Sequence, residues 1–172
     1  VGTRTWGRRG ATDYNYEVIF QWGSFGDAPI RAWALATDTG YELRSSRWPM
    51  RVAVRAALTT GDRRPDSPTL HTFNPLFPGT AYSGRAGLVG PANSIDVTPS
   101  VRLTVGRRLT LTVDHAWYWR QSVHDGLYGI GVNLVRRAGG SRARDVGRQL
   151  TMQADLRPDD HFTFGVSVTA FF

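Results

Sequence analysis

The strongest constraint on this chain is a period of two in its apolar residues. Val18, Phe20 and Trp22 alternate with Ile19 and Gln21, and similar alternation recurs along most of the length. Successive side chains of a β-strand point to opposite faces, so the pattern predicts strands with one apolar and one polar face. Eight strands of about ten residues are predicted, with no amphipathic helix between them. They fall at residues 1–9, 14–22, 32–43, 50–59, 96–105, 109–120, 146–156 and 162–172.

The strands could pack their apolar faces in a soluble sandwich or turn them towards lipid in an outer-membrane barrel. The polar phase is rich in Arg, Asp, Glu and Gln in mid-strand, which is typical of a watery lumen. Aromatic residues cluster at strand ends, as in interfacial girdles: Tyr14, Trp22, Tyr41, Trp117, Trp119, Phe162 and Phe172. Both features favour lipid contact. The residues then expected on the outer surface are Val18, Phe20, Leu35, Val54, Val101, Leu111, Leu150 and Val166.

The connections between the strands alternate in length. Tight links are expected at residues 10–13, 44–49, 106–108 and 157–160, and longer ones at 23–29, 61–95 and 121–144. Short periplasmic turns and long extracellular loops are the outer-membrane pattern, so 61–95 and 121–144 are predicted to be long extracellular loops of a single domain, 1–172. Residues 61–95 contain five prolines and five glycines but also many apolar residues, which predicts an ordered loop packed onto other parts of the protein.

The composition excludes several classes of function. The net charge is +7 and all 21 basic residues are arginine, but the arginines are dispersed and no nucleic-acid-binding motif accompanies them. There is no cysteine, and the four histidines are scattered, so neither a metal site nor a cofactor is expected. His115, His124 and His161 do not form a Ser/His/Asp arrangement. Glu17 and Asp114 are a conceivable carboxylate pair, but nothing in the sequence sets their separation, and no enzyme is predicted.

Several stretches resemble the bacterial alginate export family of outer-membrane barrels. They are GSFGDAPIRAWALATDTGYEL at 23–43, TTGDRRPDSPTLHTFNPLFPGTAY at 59–82, GLVGPANSIDVTPSV at 87–101, WRQSVHDGLYG at 119–129 and AGGSRARDVGRQL at 138–150. TFNPLFP and GPANSIDVTPS are the most specific. The resemblance covers nearly the whole chain, and it implies an outer-membrane location and passage of an acidic polyuronate.

The resemblance also implies a larger barrel, of which this chain would be a segment near the C-terminus. If the loop 61–95 is external, counting hairpins places both the start of the first strand and the end of the last strand outside. We therefore expect an open, curved, antiparallel up-and-down sheet. Its unpaired edges should be the strands at residues 1–9 and 161–172.

Two groups of arginines are candidate functional residues. Arg51, Arg55, Arg102 and Arg120 lie in the polar phase of their strands and would line the lumen, attracting carboxylates. They could equally pair with fixed carboxylates: Glu17, Asp38, Glu42, Asp96, Asp114 and Asp155. Arg136, Arg137, Arg142 and Arg144 lie in the loop 121–144 and would form a basic collar at the pore mouth, or contact lipopolysaccharide. Asp62 and Asp66 are weak calcium candidates, and turn roles suit them better.

The function predicted from these features is a passive outer-membrane channel that exports anionic polysaccharide through an arginine-lined lumen. The alternatives are a general small-anion porin, a soluble β-sandwich or barrel that binds carbohydrate, and a lipid-embedded barrel enzyme. Expected partners are anionic polysaccharide or small anions, outer-membrane lipid and lipopolysaccharide, and the periplasmic export machinery, but no nucleic acid.

Overall fold

A computed structural model describes residues 1–44, 47–77, 85–139 and 141–172. Among these residues the chain is all-β and contains no helix. Eight strands form one antiparallel sheet: β1 Gly2–Arg9, β2 Thr12–Phe25, β3 Ala28–Leu43, β4 Met50–Thr59, β5 Ser94–Val105, β6 Leu109–Arg120, β9 Asp145–Leu156 and β10 Phe164–Phe171. A small second sheet pairs β7 Leu127–Tyr128 with β8 Leu134–Arg136 inside the loop between β6 and β9.

The sheet is a meander in which sequential strands pair, in the order β1-β2-β3-β4-β5-β6-β9-β10. Within the described part of the chain β1 pairs only with β2 and β10 pairs only with β9, so the sheet does not close. This confirms the expected open up-and-down sheet with the first and last strands at its edges. An open edge leaves one row of backbone N–H and C=O groups without strand partners.

The β2–β3 connection differs from the sequence-based expectation. Residues 23–29 were expected to form a longer loop, but both strands continue to the pair Phe25↔Ala28. Only Gly26 and Asp27 remain in the turn, and Gly26 has a φ of 57°, which glycine adopts readily. The prediction of a longer loop was wrong because this turn-forming sequence extends the hairpin and does not interrupt it.

The two faces of the sheet differ sharply in composition. One face carries exposed large apolar side chains, including Phe20, Leu35, Val54, Val101 and Val166, and the register places Val18, Leu111 and Leu150 on the same face. Among the described residues these side chains do not pack together in the closed interior that a sandwich requires. The opposite face, called the polar face below, carries most of the strand charges.

The buried core lies on the polar face, under the two long connections. Phe73 of the β4–β5 connection packs on Ala32 and Ala34 of β3. Backbone hydrogen bonds support this contact, because Arg31 N donates to Leu70 O and Leu70 N donates to Pro29 O. Further along the same connection Val89 packs with Ala116 and Tyr118 of β6. The expected packing of the proline-rich loop onto other parts of the protein is therefore observed for its described residues; residues 78–84 lie outside them.

Within the described ranges no helix is both long enough and apolar enough to cross a membrane.

A charged side chain introduced on the apolar face should destabilise the protein more than one introduced on the polar face. Val54 is exposed in the middle of β4 on the apolar face, so Val54→Arg should place a guanidinium against lipid and lower the free energy of unfolding by about 2–4 kcal/mol. Ser100 of β5 is the matched site on the polar face, and Ser100→Arg should lower it by less than about 1 kcal/mol. Urea titration of the full-length protein in lipid vesicles measures both losses. Equal losses at the two positions would contradict the assignment of the faces.

Candidate functional site

The polar face carries a basic groove with a volume of about 800 Å³. Seven arginines and three aspartates contribute to its lining, so positive charge is in excess. The basic residues are Arg51, Arg55, Arg85, Arg102, Arg107, Arg108 and Arg157, and the acidic ones are Asp38, Asp114 and Asp155. Threonine, serine and glutamine side chains from β5, β6 and β9 complete it. We call this feature the arginine groove.

Arg51 is held in an ion-pair network that spans three strands. Its Nη2 lies 2.6 Å from Asp13 Oδ1 on β2 and 2.8 Å from Asp38 Oδ1 on β3, and its Nε donates to Asp13 Oδ2 at 2.9 Å. Arg102 lies directly opposite Arg51 in the β4–β5 register, and like charges in that position repel each other. The two aspartates offset this repulsion, and Arg102 forms no ion pair of its own with another described residue.

Gly40 makes the reach of Arg51 to β2 possible. A Cβ atom at Gly40 would lie 2.3 Å from Arg51 Nε and 2.4 Å from its Cζ, well inside contact distance. The guanidinium therefore crosses β3 directly over this glycine. Gly40 and Asp13 were not among the residues predicted from the sequence, although a glycine inside a strand pattern is a known sign of close approach by another group.

Arg55 lies between carboxylates near the centre of the polar face. It is close enough to Asp96 and Asp114 to interact electrostatically with both, and Arg85 from the β4–β5 connection also acts on Asp114. Arg55 Nε and Asp96 Oδ1 are buried and have no hydrogen-bond partner among the described residues. The carboxylates of Asp96 and Asp114 thus compensate the positive charge of Arg55, but Arg55 Nε lacks a hydrogen bond within the described chain.

The end of the arginine groove near the short turns carries arginines without ion pairs in the described part of the chain. Arg107 and Arg108 lie in the β5–β6 turn and Arg157 follows β9, and all three are exposed, as is Arg102. Arg107, Arg108 and Arg157 were not among the site residues predicted from the sequence. They flank strands whose polar residues line the groove. This position next to the polar phase is the sequence signal that could have identified them as groove residues.

Arg120 occupies a different place from the other three predicted lumen arginines. Its side chain is 6% exposed and does not line the groove. Its guanidinium donates to the carbonyl oxygens of Ser141 at 2.9 Å and of Ala143, with longer contacts to Val123 and Asp125. These partners all belong to the β6–β9 connection, so the structure gives Arg120 the position of an anchor for that loop.

The four predicted collar arginines are exposed in the β6–β9 connection. Arg136 ends β8, Arg137 follows it, and Arg142 and Arg144 precede β9. None of them forms an ion pair with another described residue. They lie at the opposite end of the strands from the short turns that carry Arg107 and Arg157.

A polar cluster, largely buried, joins the two long connections, and we call it the loop latch: Asp62, Asn93, Ser122 and Asp125. Asn93 is fully buried, and its φ of 52° is one that asparagine tolerates. Its Nδ2 donates to the carbonyl oxygens of Ser122 at 2.9 Å and Gly126 at 2.8 Å, and its Oδ1 accepts from Ser122 N at 2.6 Å. One side chain therefore satisfies three backbone groups of the neighbouring loop.

Asp125 makes the complementary set of contacts. Its Oδ2 accepts from Asp62 N at 2.9 Å and from the Thr72 hydroxyl at 2.6 Å, and its Oδ1 accepts from the Tyr128 hydroxyl at 2.8 Å. Burial, together with this hydrogen bond to Asp125, raises the pKa of Tyr128 above its usual range. Ser122 Oγ donates to Asp62 O at 2.6 Å, which closes the cluster.

The structure bears on the weaker site candidates as well. Asp62 Oδ1 accepts from His71 N at 2.6 Å, a contact within the β4–β5 connection, and the described residues hold no group of three or more potential metal ligands. Glu17 and Asp114 lie on β2 and β6, four strands apart, or on the order of 19 Å along the sheet. That separation does not suit a glycosidase pair. His115 stacks on Trp117 with ring centroids 4.3 Å apart.

The loop latch predicts a specific weakness. Asn93→Ala removes three buried hydrogen bonds and should cost about 2–4 kcal/mol of local stability, so trypsin should cut the detergent-solubilised protein faster after the loop arginines. Asn74 of the same connection is exposed, so Asn74→Ala is the control and should leave the rate of cleavage unchanged. Mass spectrometry of the fragments identifies the sites. Cleavage of Asn93→Ala at the wild-type rate would show that the latch does not hold the loops.

Comparison with known proteins identifies the family. A family model described as alginate export matches residues 1–172, the whole chain. No curated protein matches the chain significantly. The match agrees with the open antiparallel sheet and its exposed apolar face, which together form part of an outer-membrane barrel wall. It places the protein in the bacterial outer membrane and in polysaccharide transport. The chain therefore belongs to the alginate export family.

Proposed function

We propose that the arginine groove is part of the lumen wall of a passive channel, along which an anionic, alginate-like polyuronate moves. The observation that carries the proposal is the excess of seven arginines over three aspartates in a single groove on the polar face. Fixed guanidinium groups raise the local concentration of carboxylates and exclude cations of similar size. Arginine also binds carboxylate in a bidentate geometry, which suits a uronate chain.

Paired and unpaired arginines have different parts in this proposal. Arg51 is shared between Asp13 and Asp38, so a passing carboxylate competes with fixed partners and is released easily. Arg102, Arg107 and Arg157 lack such partners among the described residues and would bind the polyanion first. Conduction requires binding that is favourable enough for entry and weak enough for release. Arginines without ion pairs would favour entry of the polyanion, and arginines that already have carboxylate partners would favour its release.

The long connections give the proposed channel its direction. We infer that the loops formed by residues 61–95 and 121–144 face the outside and that the short turns face the periplasm, where export machinery would deliver the chain. Arg107 and Arg157 would then be at the entrance, and the collar arginines at the exit. The apolar face would contact lipid, and the exposed collar arginines would also attract anionic lipopolysaccharide.

The lumen proposal is tested by charge removal with a matched control. Replacing Arg51, Arg55 and Arg102 together with glutamine should lower the chloride-to-potassium permeability ratio severalfold, because three charges leave the pore wall. The control replaces Arg9, Arg31 and Arg148, which the register places on the opposite face, and should preserve selectivity. Reversal potentials across a salt gradient in planar bilayers give the ratio for the full-length protein. Unchanged selectivity in the first variant would show that these arginines only stabilise the wall.

The collar proposal makes a separate kinetic prediction. Replacing Arg136, Arg137, Arg142 and Arg144 with serine should slow the capture of alginate oligomers added on the long-loop side severalfold at low salt, while the residence time is kept. The difference should vanish near 1 M salt, where screening acts over about 3 Å. Single-channel block events supply both rates. Equal slowing for oligomers added on the short-turn side would place the collar elsewhere.

A small-anion porin is the second candidate, since the groove itself would also attract chloride. The family match favours polysaccharide. A polysaccharide channel should let alginate oligomers cross the bilayer, whereas a small-anion porin should only have its current blocked by them. Recovery of oligomer on the far side of the bilayer distinguishes the two candidates.

A further inference from the structure

Trp6 is an aromatic side chain on the polar face. It belongs to β1, where Arg4, Trp6 and Arg8 share one side of the strand. Arg8 contacts Glu42 and Arg4 Nε donates to Asn15 Oδ1 at 2.8 Å, so this side of β1 is the polar face. Residues directly opposite one another form a row that runs from Trp6 through Asn15 and Asp38 to Arg55. The ring therefore lies at the same level of the sheet as the arginine groove.

Trp6 is strongly exposed, as is most of β1, the edge strand of the open sheet. Its side chain is 68% exposed, whereas Phe73 and Tyr118, which also lie over or on the polar face, are buried under the loops. Interfacial aromatic residues are explained by lipid, but they lie on the opposite face. An indole ring held in a wet, polar surface keeps a large apolar area in contact with water.

We propose that Trp6 and Arg4 form a sugar-binding subsite, in which the indole stacks on a pyranose ring and Arg4 binds its carboxylate. The guanidinium carbon of Arg4 lies 5.6 Å from the centroid of the Trp6 ring. Asn15 fixes the guanidinium through the bond to Nε, and Arg4 forms no ion pair with a described residue. A flat apolar surface next to a guanidinium that forms no ion pair with another described residue matches a uronate residue, which presents a C–H face and a carboxylate together.

The subsite would add a contact that charge alone does not supply. An arginine groove attracts any anion, whereas stacking recognises the ring of the sugar whether or not it is charged. Arg8, two residues further along β1, is already paired with Glu42, so it offers less to a carboxylate than Arg4 does. Trp6 would thus favour a saccharide over a small anion in a shared lumen. This inference rests on the proposed function, because it requires the polar face to line the path of the polymer.

The test uses the full-length protein in planar bilayers and two probes, neutral maltohexaose and an alginate hexamer. Trp6→Ala should shorten the residence time of both blocking sugars about three- to tenfold, because both lose the stacking surface. Trp6→Phe keeps an aromatic ring, so the residence times of both sugars should lie between those of the wild type and of Trp6→Ala. Arg4→Gln should shorten only the residence of the alginate hexamer.

Trp22 provides a closely matched control. It is 66% exposed, is the same residue type, and lies on the apolar face of the neighbouring strand β2. Trp22→Ala should leave both residence times unchanged, and heat-modifiable mobility on gels checks that every variant is folded. Residence times in Trp6→Ala equal to wild type, or equally shortened in Trp22→Ala, would overturn the subsite.

The experiment separates failure of the subsite from failure of the proposed channel. If the wild type is anion-selective but Trp6→Ala does not alter block by maltohexaose, the subsite is wrong and the anion-conducting lumen stands. If the wild type is not anion-selective but the Trp6 dependence is observed, the arginine proposal is wrong and the ring still contacts sugar. Absence of any block by maltohexaose in the wild type would also overturn the subsite.

Discussion

The structure depends on satisfying backbone hydrogen bonds while keeping one face of the sheet apolar and the other polar. Within a bilayer each unpaired backbone group costs several kcal/mol, so spanning strands must pair with neighbours. The meander achieves this for every pair from β1–β2 to β9–β10. Side-chain alternation then assigns every second residue to lipid and the remainder to water. A slip of one residue would exchange the two faces, which explains why the apolar phase is so regular.

The buried core of the protein lies on the polar face. It forms where loops pack on the sheet, and not between two sheets. Phe73 and Val89 of one long connection cover small side chains of the sheet, such as Ala32, Ala34 and Ala116. Small residues let the loop backbone approach closely, and the loop latch joins this connection to the next one through Asn93 and Asp125. The described residues of the two connections are thus hydrogen-bonded to each other and cover the long-loop end of the polar face.

The arginines of the polar face differ in their ion pairing according to their position along the strands. Towards the middle, Arg51 is held by Asp13 and Asp38, and its path across β3 requires the absence of a side chain at Gly40. Near the short turns Arg102, Arg107, Arg108 and Arg157 are exposed and form no ion pair with another described residue. A wall with both kinds of arginine suits a polyanion that must bind and then move on, and an exposed indole at Trp6 adds a surface for its sugar rings.

Sequence alone determined the strand period, the phase that faces lipid, the open sheet and the family, because alternation and specific stretches such as TFNPLFP are local properties of the chain. Tertiary structure alone decided which arginines share a groove. Arg120 has the same strand phase as Arg51, but the β6–β9 connection folds over it and its carbonyl groups take all the described contacts of the guanidinium. Arg107, Arg108 and Arg157 reach the groove from turns, where no period exists to predict direction. Asn93 matters only because residues distant in sequence meet it in space, and a one-dimensional pattern does not encode such contacts. A glycine within a strand pattern indicates close approach at Gly40, but only the fold shows that Arg51 is the group that approaches.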